Sequence, residues 1–250
     1  AFGDSGKTVL IEECLFGEET SIHVIVSGKD YVILPTSQDH KQVFEGDTGP
    51  NTGGMGAYSP ADLIDEAMMR HIEEIIVKPS VDGIAAEGID FRGTLFIGLM
   101  MTKTGPKVLE YNTRFGDPET QVLLTRLETD PVAIMLAAAK GELTKIDVKV
   151  KDEYAMVVVL ASKGYPENYP KGEAISFPET VGENEFIFHA GTTSSEAGDV
   201  VTNGGRVLGV TALGTNLKEA SQKAYALCDK INFKSKYLRR DIGAKELNRS

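Results

Sequence analysis

A strand and the loop after it carry the strongest signal in this sequence, KVLEYNTRFGDPE at residues 107–119. Because side chains alternate across a β-strand, Glu110 and Asn112 are predicted to share one face, and Leu109 and Tyr111 the other. A carboxylate and an amide oxygen on a rigid strand suit Mg²⁺, which takes oxygen ligands and keeps positions for water and phosphates. From the spacing alone, a solvated strand face with an exposed glutamate fits equally well.

Three neighbouring features could bind phosphate or polar substrates. Arg114 is predicted to project beside Asn112, where its guanidinium would offer a fork of donors to a phosphate oxygen. The loop GPNTGGMG at residues 49–56 lets backbone N–H groups approach an anion, although it matches neither the P-loop nor G-x-G-x-x-G, and a mobile loop without a ligand is the alternative. Residues 37–41, SQDHK, form a polar run that an exposed turn would also explain.

Strand and helix patterns follow one another along the chain and predict an α+β fold. Strands are predicted at residues 8–11, on both sides of a turn at 27–30, and at 94–101, 107–112, 155–161 and 206–213. Residues 35–59 are predicted to be a long loop. Helices are predicted to begin at Ser59-Pro60, Asp117-Pro118, Asp130-Pro131 and Asn216, because each has a capping residue, followed in three cases by proline. Ile64, Met68, Ile72 and Ile76 recur at steps of four and predict one buried helix face.

A charged segment at residues 149–153 separates this α+β unit from a run of short strands with Gly and Pro turns. We therefore predict a domain boundary there. The 26 basic and 37 acidic residues give a net charge of -11, which argues against nucleic-acid binding through phosphate neutralisation. Cys14 and Cys228 are far apart and predict two free thiols in a reducing cytoplasm. No apolar run is long enough to predict a membrane span.

Several segments together closely resemble the phosphoribosylamine–glycine ligase family. They are IEECL at residues 11–15, QDHK at 38–41, GDTGPNTGGMGAY at 46–58, LEYNTRFGDPETQ at 109–121, FHAGT at 188–192 and TNGGRVL at 202–208. The run RFGDPE at residues 114–119 looks like the signature of that family. The resemblance covers nearly the whole chain.

This resemblance implies an ATP-grasp fold, in which ATP lies between two α+β lobes. Residues 9–150 would form an ATP-grasp lobe with the metal and substrate sites, and residues 151–250 a small C-terminal mixed β-sheet and helix domain. Residues 1–8 would be a remnant of the ATP-lid domain. The N-terminal domain and most of the lid, the missing N-terminal part of the same enzyme, would lie outside this chain.

The implied reaction joins glycine to 5-phosphoribosylamine with ATP and Mg²⁺ or Mn²⁺, in the cytoplasm, as a step of purine (IMP) biosynthesis. The glycine carboxylate would attack the γ-phosphate, and the amine would capture the resulting glycyl phosphate, releasing ADP and phosphate. Such chemistry depends on positioning and charge neutralisation more than on a protein nucleophile. The implied partners are these small molecules, with no nucleic acid and no membrane.

The resemblance also implies roles for individual residues. The implied catalytic residues are Arg114 and Asp117, and the implied metal ligands are Glu110 and Asn112. Glu12, Leu15, Glu19, Asp39, His40 and Lys41 would bind the nucleotide. Asn51, Thr52, Gly53, Gly54, Gly116 and Pro118 would border the substrates.

Two departures from the family limit these implications. Residues 95–101 contain no carboxylate that could hold a second metal ion, and the lysines and glycine-rich flap of the missing part are absent. The 250 residues alone are therefore expected to be inactive. The alternatives are another ATP-grasp carboxylate–amine ligase or a carboxylase, against which the motifs at 51–56 and 114–119 argue, and a non-catalytic folded fragment.

Overall fold

Two antiparallel sheets with packed helices dominate the computed structural model, which describes residues 7–249. The strands are β1 Glu18–Ser27, β2 Asp30–Ile33, β3 Gln38–Asp39, β4 Gln42–Phe44, β5 Thr48–Asn51, β6 Gly56–Ser59, β7 Arg92–Thr102, β8 Gly105–Asn112, β9 Tyr154–Ser162, β10 Glu185–His189, β11 Thr192–Ser194, β12 Val200–Thr202, β13 Arg206–Gly214 and β14 Lys236–Tyr237. The helices are α1 Glu66–Ile72, α2 Lys78–Ala86, α3 Glu119–Arg126, α4 Pro131–Lys140, α5 Leu217–Lys230 and α6 Ala244–Leu247, with a π-helical turn at Glu73–Val77 and a 3₁₀ turn at Leu143–Lys145. Residues 1–6 of the predicted lid remnant lie outside the described residues.

The first sheet has the strand order β2-β1-β7-β8. Val24 and Val26 of β1 pack on one face, which α1 and α2 cover, while Ile25 packs on the other, which α4 covers. Both faces of β1 are therefore buried, so the consecutive apolar residues Val24, Ile25 and Val26 can all pack in a core. The predicted hairpin is confirmed, since β1 and β2 pair up to Ser27 and Asp30.

The second sheet has the order β10-β13-β9-β6-β3, with β14 also paired to β9. Its main core is formed with α5, which packs Leu227 and Cys228 against the apolar side chains of β9 and β13. The pairing of β6 with β9, from Gly56 with Val158 to Ser59 with Ala155, crosses the predicted boundary at residues 150/151. The division into 9–150 and 151–250 stays a prediction, and any two such units would share this sheet.

Three predicted elements are wrong. Residues 8–11 form no strand, and Val9, Leu10 and Ile11 are exposed, because no described strand lies beside them to complete their hydrogen bonds. The predicted loop at 35–59 contains the four short strands β3 to β6. Helix α1 begins at Glu66, capped by Asp65, instead of at Ser59-Pro60. Ser59 is the last residue of β6, and its hydroxyl donates to Thr36 O at 2.7 Å instead of capping a helix.

The predicted helix starts differ in their outcome. Asp130 caps α4 by accepting from Val132 N, and Asn216 caps α5 by accepting from Glu219 N, so both predictions are confirmed. Asp117 does not cap α3, because its carboxylate is bound by Gln121 and by a distant arginine instead. Ile64, Met68, Ile72 and Ile76 all pack in the core of the first sheet, as predicted, although Ile64 precedes α1 and Ile76 lies in the π-helical turn after it.

Candidate active site

The predicted metal and substrate residues line one cavity of about 220 Å³, which we call the carboxylate cavity. It lies where the end of β8, the glycine-rich loop and the start of α3 meet. Its lining comprises Asp39, Lys41, Asn51, Thr52, Gly53, Phe96, Glu110, Asn112, Arg114, Gly116, Asp117 and Glu119. Residues about 70 positions apart in sequence thus converge, and ten of the sixteen predicted site residues are among them.

Glu110 and Asn112 both face the carboxylate cavity from β8, as their spacing predicts. Residue 98 on the paired strand β7 is glycine, which leaves room for Glu110. A Cβ at Gly98 would lie only 3.1 Å from Glu110 Cγ. No described residue within 7–249 hydrogen-bonds to the side chain of Glu110 or Asn112. In that range no three His, Cys, Asp or Glu side chains could enclose a metal ion by themselves. The donor set fits Mg²⁺ that is completed by phosphate oxygens and water.

Crowded carboxyl groups with raised pKa values are the main electrostatic feature of the carboxylate cavity. Burial raises the pKa of Asp39 to about 6, with Lys41 opposing the shift and Glu19 and Glu110 adding to it. Burial also raises the pKa of Glu119 to about 8, with help from Asp39 and Asp117. Carboxylates crowded in this way favour binding of a cation, because its charge offsets their mutual repulsion.

Arg114 and Lys41 are the basic groups in this lining. Arg114 Nη1 donates to Phe115 O at 2.9 Å, and no described carboxylate forms an ion pair with its guanidinium. Lys41 pairs with Glu19 at 2.8 Å. Burial alone would lower the pKa of Lys41, but Asp39, Glu19 and Glu110 raise it overall, so its ammonium stays charged. Both cations therefore lie beside the carboxylates, with Lys41 already paired to Glu19.

A second, smaller cavity of about 140 Å³ adjoins the first and shares Asp39 and Lys41 with it. We call it the nucleotide-side cavity, after the residues for which the family resemblance implies nucleotide binding. Its lining comprises Gly17, Glu18, Glu19, Gln38, Asp39, His40, Lys41, Gln42, Asp47, Met100 and Lys245. Glu12 and Leu15 line neither cavity and lie in the segment without regular structure that precedes β1.

His40 reaches the nucleotide-side cavity but is held by the C-terminal segment. Its Nε2 accepts from Gly243 N at 3.2 Å. Burial, with a smaller contribution from Arg239, lowers the pKa of His40 to about 4, so the ring is neutral at pH 7. Its role as a nucleotide contact stays a prediction.

Gly54 and Pro118 form the contact between the two substrate loops. Gly54 has a φ of +111°, and a Cβ there would lie 2.4 Å from Pro118 Cδ. Only glycine combines this backbone conformation with so close an approach. The glycine-rich loop and the loop at residues 114–118 therefore pack directly against each other.

Two residues that sequence reasoning missed support these loops. His23, fully buried in β1, accepts from Gly116 N through Nε2 at 3.0 Å and stacks on Phe115. Burial lowers the pKa of His23 to about 3, with Arg114 adding to the shift, so it is neutral. Arg206 of β13 bonds both loops. The sequence shows His23 only as a strand position, and Arg206 only within TNGGRVL, because their partners are 93 and 89 or more residues away.

The fold and the site together define an ATP-grasp protein. The biotin carboxylase domain of 2-oxoglutarate carboxylase from Hydrogenobacter thermophilus superimposes with a TM-score of 0.65 at 14% identity, over 88% of this chain and 47% of that one. At that identity the similarity concerns the fold alone. Phosphoribosylamine–glycine ligase from Thermotoga maritima superimposes with a TM-score of 0.85 at 41% identity, over 92% of this chain and 57% of that chain.

Within that class, the chain belongs to the phosphoribosylglycinamide synthetase family. The model of the family's ATP-grasp (A) domain matches residues 1–120, and that of its C domain matches residues 155–245. Phosphoribosylamine–glycine ligase of Agrobacterium fabrum is 49% identical over 243 residues, which is 97% of this chain. The chain spans 57% of the length of that relative. Within residues 7–249, no helix is both long and apolar enough to cross a membrane.

Proposed function

We propose that this chain is the part of an ATP-dependent ligase that joins glycine to 5-phosphoribosylamine, giving the phosphoribosyl glycinamide, ADP and phosphate in purine biosynthesis. The observation that carries the proposal is the convergence of Glu110, Asn112 and Arg114 with the glycine-rich loop in one cavity. The names of the relatives in Agrobacterium fabrum and Thermotoga maritima support this choice of substrates. The predicted cytoplasmic location remains part of the proposal.

Glu110 and Asn112 would hold Mg²⁺ or Mn²⁺ from one side. The metal ion, when bound, supplies positive charge next to the phosphate oxygens of ATP. Lys41, with Glu19, Asp39 and His40, would hold the nucleotide at the junction of the two cavities. Glu12 and Leu15 would bind its base. The guanidinium of Arg114, which forms no ion pair with a carboxylate of residues 7–249, would bind the transferring phosphoryl group.

Asn51 to Gly54, Gly116 and Pro118 would then hold glycine and the amine substrate. In the first step the glycine carboxylate oxygen attacks the γ-phosphorus, and the bond to the bridging oxygen of ADP breaks. In the second step the amine nitrogen of phosphoribosylamine attacks the acyl carbon, phosphate leaves, and the nitrogen loses a proton. Asp117, which Gln121 and Arg206 hold in place, would keep the Arg114 loop aligned during both steps.

The test is substrate-dependent ADP formation by two proteins. One is the 250-residue chain. The other is the same chain joined to the part of the Agrobacterium fabrum relative that the match leaves out, which we call the joined protein. With ATP, Mg²⁺ and 5-phosphoribosylamine, the joined protein is expected to release ADP with glycine and not with bicarbonate.

The chain alone is expected to stay at background. Losing a single transition-state donor commonly costs about 10²- to 10³-fold in rate, and an open site also loses its low-dielectric enclosure. Equal activity with bicarbonate would replace the ligase assignment with a carboxylase-like one. A joined protein that binds no nucleotide would support a non-catalytic fragment.

A further inference from the structure

The side chain of Arg206 bridges the two substrate loops. Its Nη1 donates to Gly53 O at 2.7 Å and to Asp117 O at 2.6 Å, and its Nη2 donates to the Asp117 carboxylate at 2.9 Å. Its side chain is only 21% exposed. Because Arg206 begins β13, which is paired to β9, these bonds tie both loops to the second sheet.

The guanidinium of Arg206 packs closely on the glycine-rich loop, and further hydrogen bonds support both loops. A Cβ at Gly53 would lie 3.0 Å from Arg206 Cζ, so the guanidinium rests directly on the glycine-rich loop. The opposite oxygen of Asp117 accepts from Gln121 at 3.0 Å, and Gly53 N donates to the hydroxyl of Tyr165 at 3.0 Å. The two loops are thus held by Arg206, Gln121 and Tyr165, none of which lines the carboxylate cavity.

Arg206 is not among the residues that line either cavity. Three of its N–H groups are used on protein oxygens, so it is suited to alignment rather than to substrate binding. A planar fork is needed to hold two carbonyls and one carboxylate oxygen together. The residues that it aligns, Gly53 and Asp117, line the carboxylate cavity and not the nucleotide-side cavity.

We propose that Arg206 is a positioning residue of the ligase reaction, which locks the glycine-rich loop against the Arg114–Asp117 loop. This inference rests on the proposed function and adds a residue to it. Arg206 is expected to set the distance between the two substrates and the phosphoryl group and to leave nucleotide affinity unchanged. A displacement of about 1 Å in such a site can cost about 10²-fold in rate.

The experiment compares Arg206→Gln and Arg206→Lys in the joined protein. Both variants are expected to lower kcat about 10²-fold while the KM for ATP stays within about twofold. Lysine is expected not to rescue, because it keeps the charge but lacks the fork. The matched controls are Arg240→Gln, which removes an exposed ion pair with Asp229, and Arg240→Lys, which keeps the charge without the fork. Both are expected to leave kcat unchanged.

A second measurement needs no activity. In the 250-residue chain, Arg206→Gln should speed amide hydrogen exchange at residues 52–56 and 114–117 and leave α5 unchanged. Unchanged exchange in those loops, or full kcat in Arg206→Lys, would overturn the positioning role. The positioning role would also be overturned if Arg206→Gln lowered kcat, raised the KM for ATP to a similar extent and speeded exchange throughout the chain. If glycine did not increase ADP release by the wild-type joined protein, the proposed function would be refuted. The exchange result would still decide whether Arg206 holds the two loops together.

Discussion

Replacing Gly54 with alanine tests how tightly the two substrate loops pack. The substitution has two separable costs. The φ of +111° is unfavourable for any residue with a Cβ, and that Cβ would lie 2.4 Å from Pro118 Cδ. Gly105 provides a matched control, since it has the same φ of +111° and nothing within 4 Å of its added Cβ.

The magnitudes follow from these two terms. Backbone strain of this kind costs about 1–3 kcal/mol, and it should be common to Gly54→Ala and Gly105→Ala. Overpacking adds about 1–3 kcal/mol, and it should appear only in Gly54→Ala. With a urea m-value of about 3 kcal/mol/M, the midpoint of Gly54→Ala should lie about 0.3–1 M below that of Gly105→Ala.

The assay is urea unfolding of the 250-residue chain followed by circular dichroism, with the m-values compared first. In the joined protein, Gly54→Ala should also lower kcat about 10²-fold, because the loops are forced apart, while Gly105→Ala leaves it near the wild-type value. Equal unfolding midpoints for the two variants would show that Pro118 yields freely. The reasoning about close loop packing would then be wrong.

Two further predictions concern the metal and pH. Glu110→Gln in the joined protein should weaken apparent Mg²⁺ affinity at least about 10- to 100-fold, since an anionic ligand is lost at constant size. Tyr111→Phe on the same strand should leave the affinity unchanged. The measurement is turnover as a function of Mg²⁺ concentration, and equal curves for the two variants would refute the assignment. His23 has a folded-state pKa of about 3 against an ordinary value of 6.5, so its contribution to stability is complete above pH 6.5 and is lost as the pH falls toward 3. Urea unfolding between pH 6.5 and 4.5 should therefore show a loss of about 1.4 kcal/mol in unfolding free energy per pH unit. His23→Gln should remove this loss, whereas His71→Gln, on the exposed surface of α1, should keep it. Identical pH slopes for the two variants would contradict the neutral buried ring.

The sequence predicted local structure best where the information is local. The cap at Asp130 and that at Asn216 each depend on a bond to a residue two or three positions away, and both are confirmed. The alternation that sends Glu110 and Asn112 into one cavity is likewise a property of a single strand. The motif at residues 109–121 was specific enough to indicate the family, to which the chain belongs.

Local patterns failed where a distant partner decides the outcome. The apolar run at residues 8–11 would suit a strand, but a strand needs a neighbour to complete its hydrogen bonds, and no described strand provides one. Asp117 precedes a proline in the manner of a helix cap, yet Arg206, 89 residues later, binds its carboxylate. Residues 35–59 look like a loop because β3 and β6 are short and pair with strands far along the chain or with each other.

By itself, the sequence determined the α+β class, the family, and the residue types that suit metal and phosphate. Only the tertiary structure brought Asp39, Glu110 and Glu119 to one cavity, where burial raises the pKa of Asp39 to about 6 and that of Glu119 to about 8. The supporting roles of His23 and Arg206 also emerged only there. The physical reason is that burial, charge repulsion and loop packing depend on distances between segments, and these distances are set by how the two sheets fold together.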